Sequence, residues 1–126
     1  MGDGGVTCYR DLEVWRLGVD LVEMVYQISR SFPPSESFGL TSQVQRAAVS
    51  VPANIAEGHA RKSSREFLQF ISIALGSLAE VETHLHIAQR LKYAVPTELE
   101  TITETADKLG RKLRNLQRSL KEKTRN

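Results

Sequence analysis

The run from Phe38 to Arg65, FGLTSQVQRAAVSVPANIAEGHARKSSR, limits what this chain can fold into more than any other stretch. Between Leu40 and Ala56 it carries one charge, Arg46. Leu40, Val44, Ala47, Ala48, Val51 and Ile55 share one arc of a helix, the stripe that faces a core. The opposite side is also apolar but small, with Val49, Pro52, Ala53 and Ala56. A helix apolar on two sides lies between neighbours, and small residues let those neighbours come close. Pro52 is interior to the pattern and lacks an N–H, so a kink is expected there. Gly58 is expected to end the helix in a left-handed cap.

Three further helices follow from periodicity. The first covers about Asp11 to Ser31 and carries two apolar stripes. One is Leu12, Trp15, Val19, Val22 and Tyr26; the other is Val14, Leu17, Leu21, Val25 and Ile28. Gly18 lies between them, a place for close helix approach. One stripe serves a bundle core, and the second is covered by a wide core or by a second subunit, since a long exposed apolar stripe is a liability on a monomer. Trp15, Gly18, Val49, Pro52 and Ala56 are therefore the expected packing or oligomer contacts. FPPSES breaks the chain, because Pro-Pro cannot continue a helix. Ser63 with Glu66 reads as a capping box opening a third helix that runs to about Lys92. Its seam is Phe67, Ile71, Ala74, Leu78, Val81, Leu85 and Ala88. Thr97 with Glu100 reads as a second box, opening a fourth helix with the seam Leu99, Ile102, Ala106, Leu109, Leu113, Leu116 and Leu120. Two heptad-patterned helices joined by a short link form an antiparallel hairpin.

The segment LTSQVQRAAVSVPANIAEGHARKSSREFLQFISIALGSLAEVET resembles the signature of the four-helix-bundle family of the 23S rRNA intervening-sequence protein, and RDLEVWRLGVDLV resembles that family's opening. The resemblance spans about residues 9 to 122. It implies an all-α, antiparallel up-and-down four-helix bundle assembled as a homo-oligomer, a pentamer. It attaches no reaction, because the family's name records where some of its genes lie. Residues 1–8 read as a disordered tail and residues 9–126 as one four-helix-bundle domain.

The lone Cys8 excludes an internal disulfide and a cysteine-based zinc site, and it fits a free thiol in a frayed segment and a reducing cytosol. MGDGGVTC has no signal-peptide pattern, and no apolar run approaches the roughly 20 residues of a membrane span. A cytoplasmic protein is expected. Di-iron bundles need Glu-x-x-His pairs on two helices. Glu80 with His84 and Glu82 with His86 are instead four apart, the spacing of neighbours on a solvated face. No nucleophile elbow or phosphate-cradling glycine loop occurs. His59 reads as a cation complementing a helix terminus rather than a base. No enzyme activity, metal or cofactor is expected. Arg46, Ser50, Asn54 and Glu57 lie along one side of the second helix. They read as a buried or interfacial polar network, or as a ligand- or subunit-recognition stripe.

Charge is the remaining signal. The net charge of +2 conceals a split. Residues 107–126 hold eight Lys or Arg and two acids, net +6, against nine and thirteen in the rest, net −4. Arg111, Arg114, Arg118, Lys121 and Arg125 recur at three- and four-residue spacings, one stripe turned away from the leucine seam. Arg61, Lys62 and Arg65 form a second cluster. The stripe is either a solvated face or a track for phosphates. With no aromatic after Tyr93, binding by the last helix would be electrostatic and would read sequence poorly. The leading expectation is a non-enzymatic protein binding RNA, DNA or the ribosome through basic surfaces of the oligomer. The alternative is a protein-interaction scaffold or accessory subunit of a nucleic-acid enzyme.

Overall fold

In the computed structural model, described over residues 8–125, helix α1 spans Glu13–Ser29, α2 Leu40–Ala60, α3 Ser64–Arg90 and α4 Pro96–Lys123. Of the expected disordered tail over residues 1–8, residues 1–7 lie outside the described range. Short 3-10 turns at Tyr9–Asp11 and Pro34–Glu36 precede α1 and α2. Each helix packs on two others: α1 on α2 and α4, α3 on α2 and α4. The secondary structure of the described residues is helical throughout, with turns and links between the helices.

The core sits where the periodicity places it. Leu21, Val25, Val44, Val51, Ile55, Ile71, Val81, Leu109 and Leu113 are fully buried. Burying one such side chain contributes about 1.5–3 kcal/mol. Of the two stripes of α1, the one through Val14, Leu21, Val25 and Ile28 faces the core. The other lies at the rim, with Leu12, Trp15 and Val22 half-buried against the core, Val19 half-buried and Tyr26 42% exposed. α2 is likewise two-sided. Its Leu40–Ile55 stripe is buried, while Val49 is 44% exposed and Ala53 is exposed.

The helix ends depart from the sequence reading in instructive ways. Gly58 does not cap α2, which continues two residues further to Ala60. A Cβ at Gly58 would lie 2.6 Å from Phe70 Cβ and 2.9 Å from Phe67 Cδ1, so the missing side chain lets α3 approach. The left-handed residue after α2 is Lys62, with φ 58°, and Lys92 plays the same part after α3 with φ 66°. At the start of α3 the Ser63 hydroxyl accepts the Glu66 N–H at 3.3 Å, the half of a capping box that satisfies an orphan donor. α4 begins earlier than the Thr97–Glu100 pair suggests. Pro96 occupies its first position and Glu98 Oε1 accepts the Val95 N–H at 3.1 Å. Proline's fixed φ and missing donor suit that first position, which explains the shift. Cys8 is not frayed: it is half-buried, and its carbonyl accepts the Asp11 N–H at 3.0 Å.

Side chains tie the elements together. Glu36 Oε1 accepts the Leu40 N–H at 3.1 Å, capping α2, whose own N-cap Gly39 has no side chain to do so. Its other oxygen accepts the Tyr93 hydroxyl at 2.9 Å, joining the first link to the last. Ser31 Oγ donates to Tyr93 O at 3.2 Å, and Phe32 packs on the Tyr93 ring. Gln117 Nε2 donates to Ser72 Oγ at 3.3 Å between α4 and α3, and Lys112 pairs with Glu13 at 3.1 Å between α4 and α1.

Candidate nucleic-acid interface

Helix α4 sorts its residues by face. Leu109, Leu113 and Leu120 are buried, and Arg111, Arg114, Arg118, Lys121 and Arg125 are all exposed. Arg111, Arg114, Arg118 and Lys121 thus form one solvent-facing row along the last half of the helix, whereas Arg125, expected on the same stripe, lies beyond the helix end at Lys123. Arg118 donates to the neighbouring Asn115, and Arg125 lies 4.0 Å from Glu122. Arg114 folds back over Gly110, where its guanidinium approaches the missing Cβ. Arg114 also acts on Glu82 of α3. Burial first, then the Asp107 carboxylate, raise the Glu82 pKa above its ordinary value, and Arg114 pulls it back down.

The second basic cluster lies at the α2–α3 link, and Arg61, Lys62 and Arg65 are exposed there. Arg61 is already engaged. It pairs with Glu57 at 2.8 Å and with Glu66 at 3.7 Å, and its guanidinium lies 5.2 Å from the Phe70 ring centre. Both pairs are half-exposed, a setting where an ion pair contributes about 0–1 kcal/mol. The structure then adds what periodicity could not reveal. This link and the end of α4 open onto one groove of about 740 Å³. Lys62 and Lys123 stand on its walls, Ser63 and Ser119 offer hydroxyls, and Tyr9 and Phe67 supply aromatic surface. Among the described residues no carboxylate lines it. The aromatics come from the segment before α1 and from α3, so the sequence of α4 alone gave no hint of them.

The polar stripe of α2 divides. Ser50 and Asn54 meet, with Asn54 Nδ2 donating to Ser50 O at 2.8 Å and to Ser50 Oγ at 2.9 Å. Their partner across the interface is Ser77 of α3, buried, with its hydroxyl 2.8 Å from that of Ser50. Sequence reasoning passed over Ser77, because a serine in an apolar seam looks like a small spacer. Arg46 and Glu57 stand outside this cluster. Both are exposed, and Glu57 turns to Arg61 one helical turn away. Length and charge explain the division: short hydroxyls and an amide satisfy one another in a tight interface, whereas buried charges would pay heavily for desolvation.

Of the expected packing residues, Gly18 and Pro52 are buried against each other, Trp15 and Ala56 are half-buried, and Val49 is exposed. Glu80, Glu82 and His86 are exposed, and His84 is half-buried with Nδ1 unpartnered. Among the described residues, no three His, Cys, Asp or Glu side chains gather as a metal-ligand set would. His59 lies in the last turn of α2 with its ring edge-on to Phe67 at 5.7 Å. No helix among the described residues is long and apolar enough to cross a membrane.

A helical bundle that carries its charge as one cationic helix face is the class these features define. The chain belongs to the family of the 23S rRNA-intervening sequence protein, whose model matches residues 10–115. A similar fold occurs in the crystal structure, at 1.70 Å, of a protein of unknown function from the S23 ribosomal protein family of Bacteroides thetaiotaomicron. The two share 22% identity with a TM-score of 0.71, over 79% of this chain and 94% of that one. No curated protein matches the sequence.

Proposed function

We propose that this protein is a non-enzymatic, cytoplasmic homo-oligomer, a pentamer, that binds nucleic acid or ribonucleoprotein electrostatically. The observation that carries this reading is the α4 row: Arg111, Arg114, Arg118 and Lys121, four cations exposed on one face, with the buried leucines on the other. Such a row can follow a phosphate backbone, and an oligomer would repeat it. The helices run up and down in antiparallel order. Ser72 near the start of α3 meets Gln117 near the end of α4, while Leu85 and Gln89 share a groove with Leu99 and Ile102. Assembly is supported by exposed Tyr26 of α1 together with exposed Val49 of α2.

A salt titration tests the reading. Log affinity for a single strand or a duplex should fall linearly with log salt, by about 0.7 or 0.9 per phosphate contact respectively. Replacing Arg111, Arg114 and Arg118 with glutamine should flatten the slope by about 2 to 3 units while leaving the fold intact. Equal slopes for wild type and variant would reduce the row to a solvated face. Light scattering should give several times the chain mass, and a monomer at micromolar concentration would end the oligomer proposal. The alternative reading, a scaffold or accessory subunit, draws on Phe38, which is fully exposed in the turn before α2. An exposed aromatic is the kind of anchor a protein partner buries.

A further inference from the structure

We infer that the groove where α2, α3 and α4 meet takes one unpaired nucleotide of a single strand, and so gives the protein a preference for single strands over duplex. The inference rests on the nucleic-acid reading and adds to it a site and a substrate class. The groove has the chemistry for both parts of a nucleotide. Tyr9 and Phe67 present aromatic surface to a base, while Lys62 and Lys123 stand ready for phosphate oxygens. Ser63 and Ser119 hydroxyls can serve the sugar or a base edge. Among the described residues the walls hold no carboxylate to repel the backbone, and the volume of about 740 Å³ lies in the range of small-molecule sites.

Position strengthens the case. Ser119 and Lys123 are residues of α4 itself, one or two positions from Arg118 and Lys121 of the exposed row. A strand tracking that row therefore reaches the groove without leaving the protein surface. A duplex holds its bases stacked inside and cannot insert one without unpairing it. A single strand can turn a base onto an aromatic side chain, and every base has a face to stack. Lys62 holds its place at a conformational cost. It adopts the left-handed conformation that glycine takes easily, with φ 58°, at the wall of the groove.

The test compares a uridine-rich single strand with a hairpin duplex of equal phosphate number, by fluorescence anisotropy across a salt series. Wild type should bind the single strand more tightly. Tyr9→Leu keeps an apolar side chain and removes the stacking face. It should weaken single-strand binding roughly ten-fold, the order of one lost base stack, leaving the salt slope and duplex binding unchanged. Lys62→Gly should flatten the single-strand slope by about 0.7, and it keeps the fold, because glycine accepts the left-handed conformation. Trp15, the only tryptophan, lies edge-on to Tyr9 at 5.2 Å, so its emission should change on adding the single strand and stay constant with the duplex. If neither variant alters single-strand binding while the Arg111, Arg114 and Arg118 variant loses slope, the groove is empty of nucleotide and the basic row stands alone. A bound strand that leaves Trp15 emission unchanged overturns the groove in the same way. If wild type binds neither probe at low salt, the nucleic-acid reading itself falls and the groove with it.

Discussion

Gly18 of α1 lies directly against Pro52 of α2: a Cβ at Gly18 would be 3.2 Å from the Pro52 Cβ and 3.4 Å from its Cα. The two residues that most disfavour a helix interior thus meet across one interface. The proline ring takes the place of the side chain that glycine lacks. Because the ring is part of the backbone, it cannot swing aside. Gly18→Leu would gain about 1 kcal/mol from helix propensity and lose roughly 1–3 kcal/mol or more from overpacking. A net loss in urea unfolding is expected. A stabilised variant would show that α1 can move away from Pro52.

Two other helical glycines, Gly58 and Gly76, should separate by environment. Gly58→Ala places a methyl 2.6 Å from Phe70 Cβ, and the α2–α3 interface must part to admit it. A loss of about 1–3 kcal/mol is expected. At Gly76 nothing lies within 4 Å, so Gly76→Ala should stabilise the isolated chain by up to about 1 kcal/mol. Thermal melts of the two variants should move in opposite directions. If Gly76→Ala instead lowers the melting temperature of the assembled protein, the outer face of α3 is a contact in the assembly.

Glu36 holds two hydrogen bonds, to the Leu40 N–H and to the Tyr93 hydroxyl. Glu36→Ala uncaps α2 and frees the Tyr93 hydroxyl, with an expected loss of about 1–3 kcal/mol in chemical denaturation. The same contact has an alkaline signature. The hydrogen bond to Glu36, then burial, raise the Tyr93 pKa above its ordinary 10.0. The folded state therefore holds its proton more tightly than the unfolded state. That stabilisation is complete below pH 10 and is lost as pH rises through the folded-state value. Denaturation curves of wild type and Tyr93→Phe should differ in their pH dependence only on that alkaline side.

Glu82 should behave in the opposite sense around its own range. Its raised pKa means that the charged form is disfavoured in the fold, by burial and by Asp107. The penalty is present above the folded-state value and vanishes below the ordinary 4.5. Glu82→Gln should therefore raise the melting temperature at neutral pH, with the gain closing as the solution is acidified. A gain that persists in acid would place its cause in packing rather than charge.

Helix positions and core seams were legible because they are local: the spacings of Leu21 with Val25 and of Leu109 with Leu113 encode a buried face whatever surrounds them. Features that depend on a second element were not. Gly58 reads as a helix stop until Phe70 is seen lying across it. Ser77 gains meaning only beside Ser50, and Glu36 looks like loop filler until Leu40 and Tyr93 come within reach. The groove is the extreme case, since Tyr9, Lys62 and Lys123 are widely separated in the chain. The basic row of α4 needed no tertiary knowledge, but its aromatic neighbours did.

The link between α2 and α3 also bears on the order in which the molecule assembles. Residues 61–63 alone separate the two helices, and these helices share the most extensive interface in the bundle. Closing so short a connection loses little chain entropy, and contacts near in sequence form fast. This hairpin is the expected folding nucleus, with α1 and α4 docking onto it later. Substitutions at Gly58 or Ser77 should then slow folding, whereas those at Gly18 should chiefly hasten unfolding, a partition that chevron analysis of the three variants would measure.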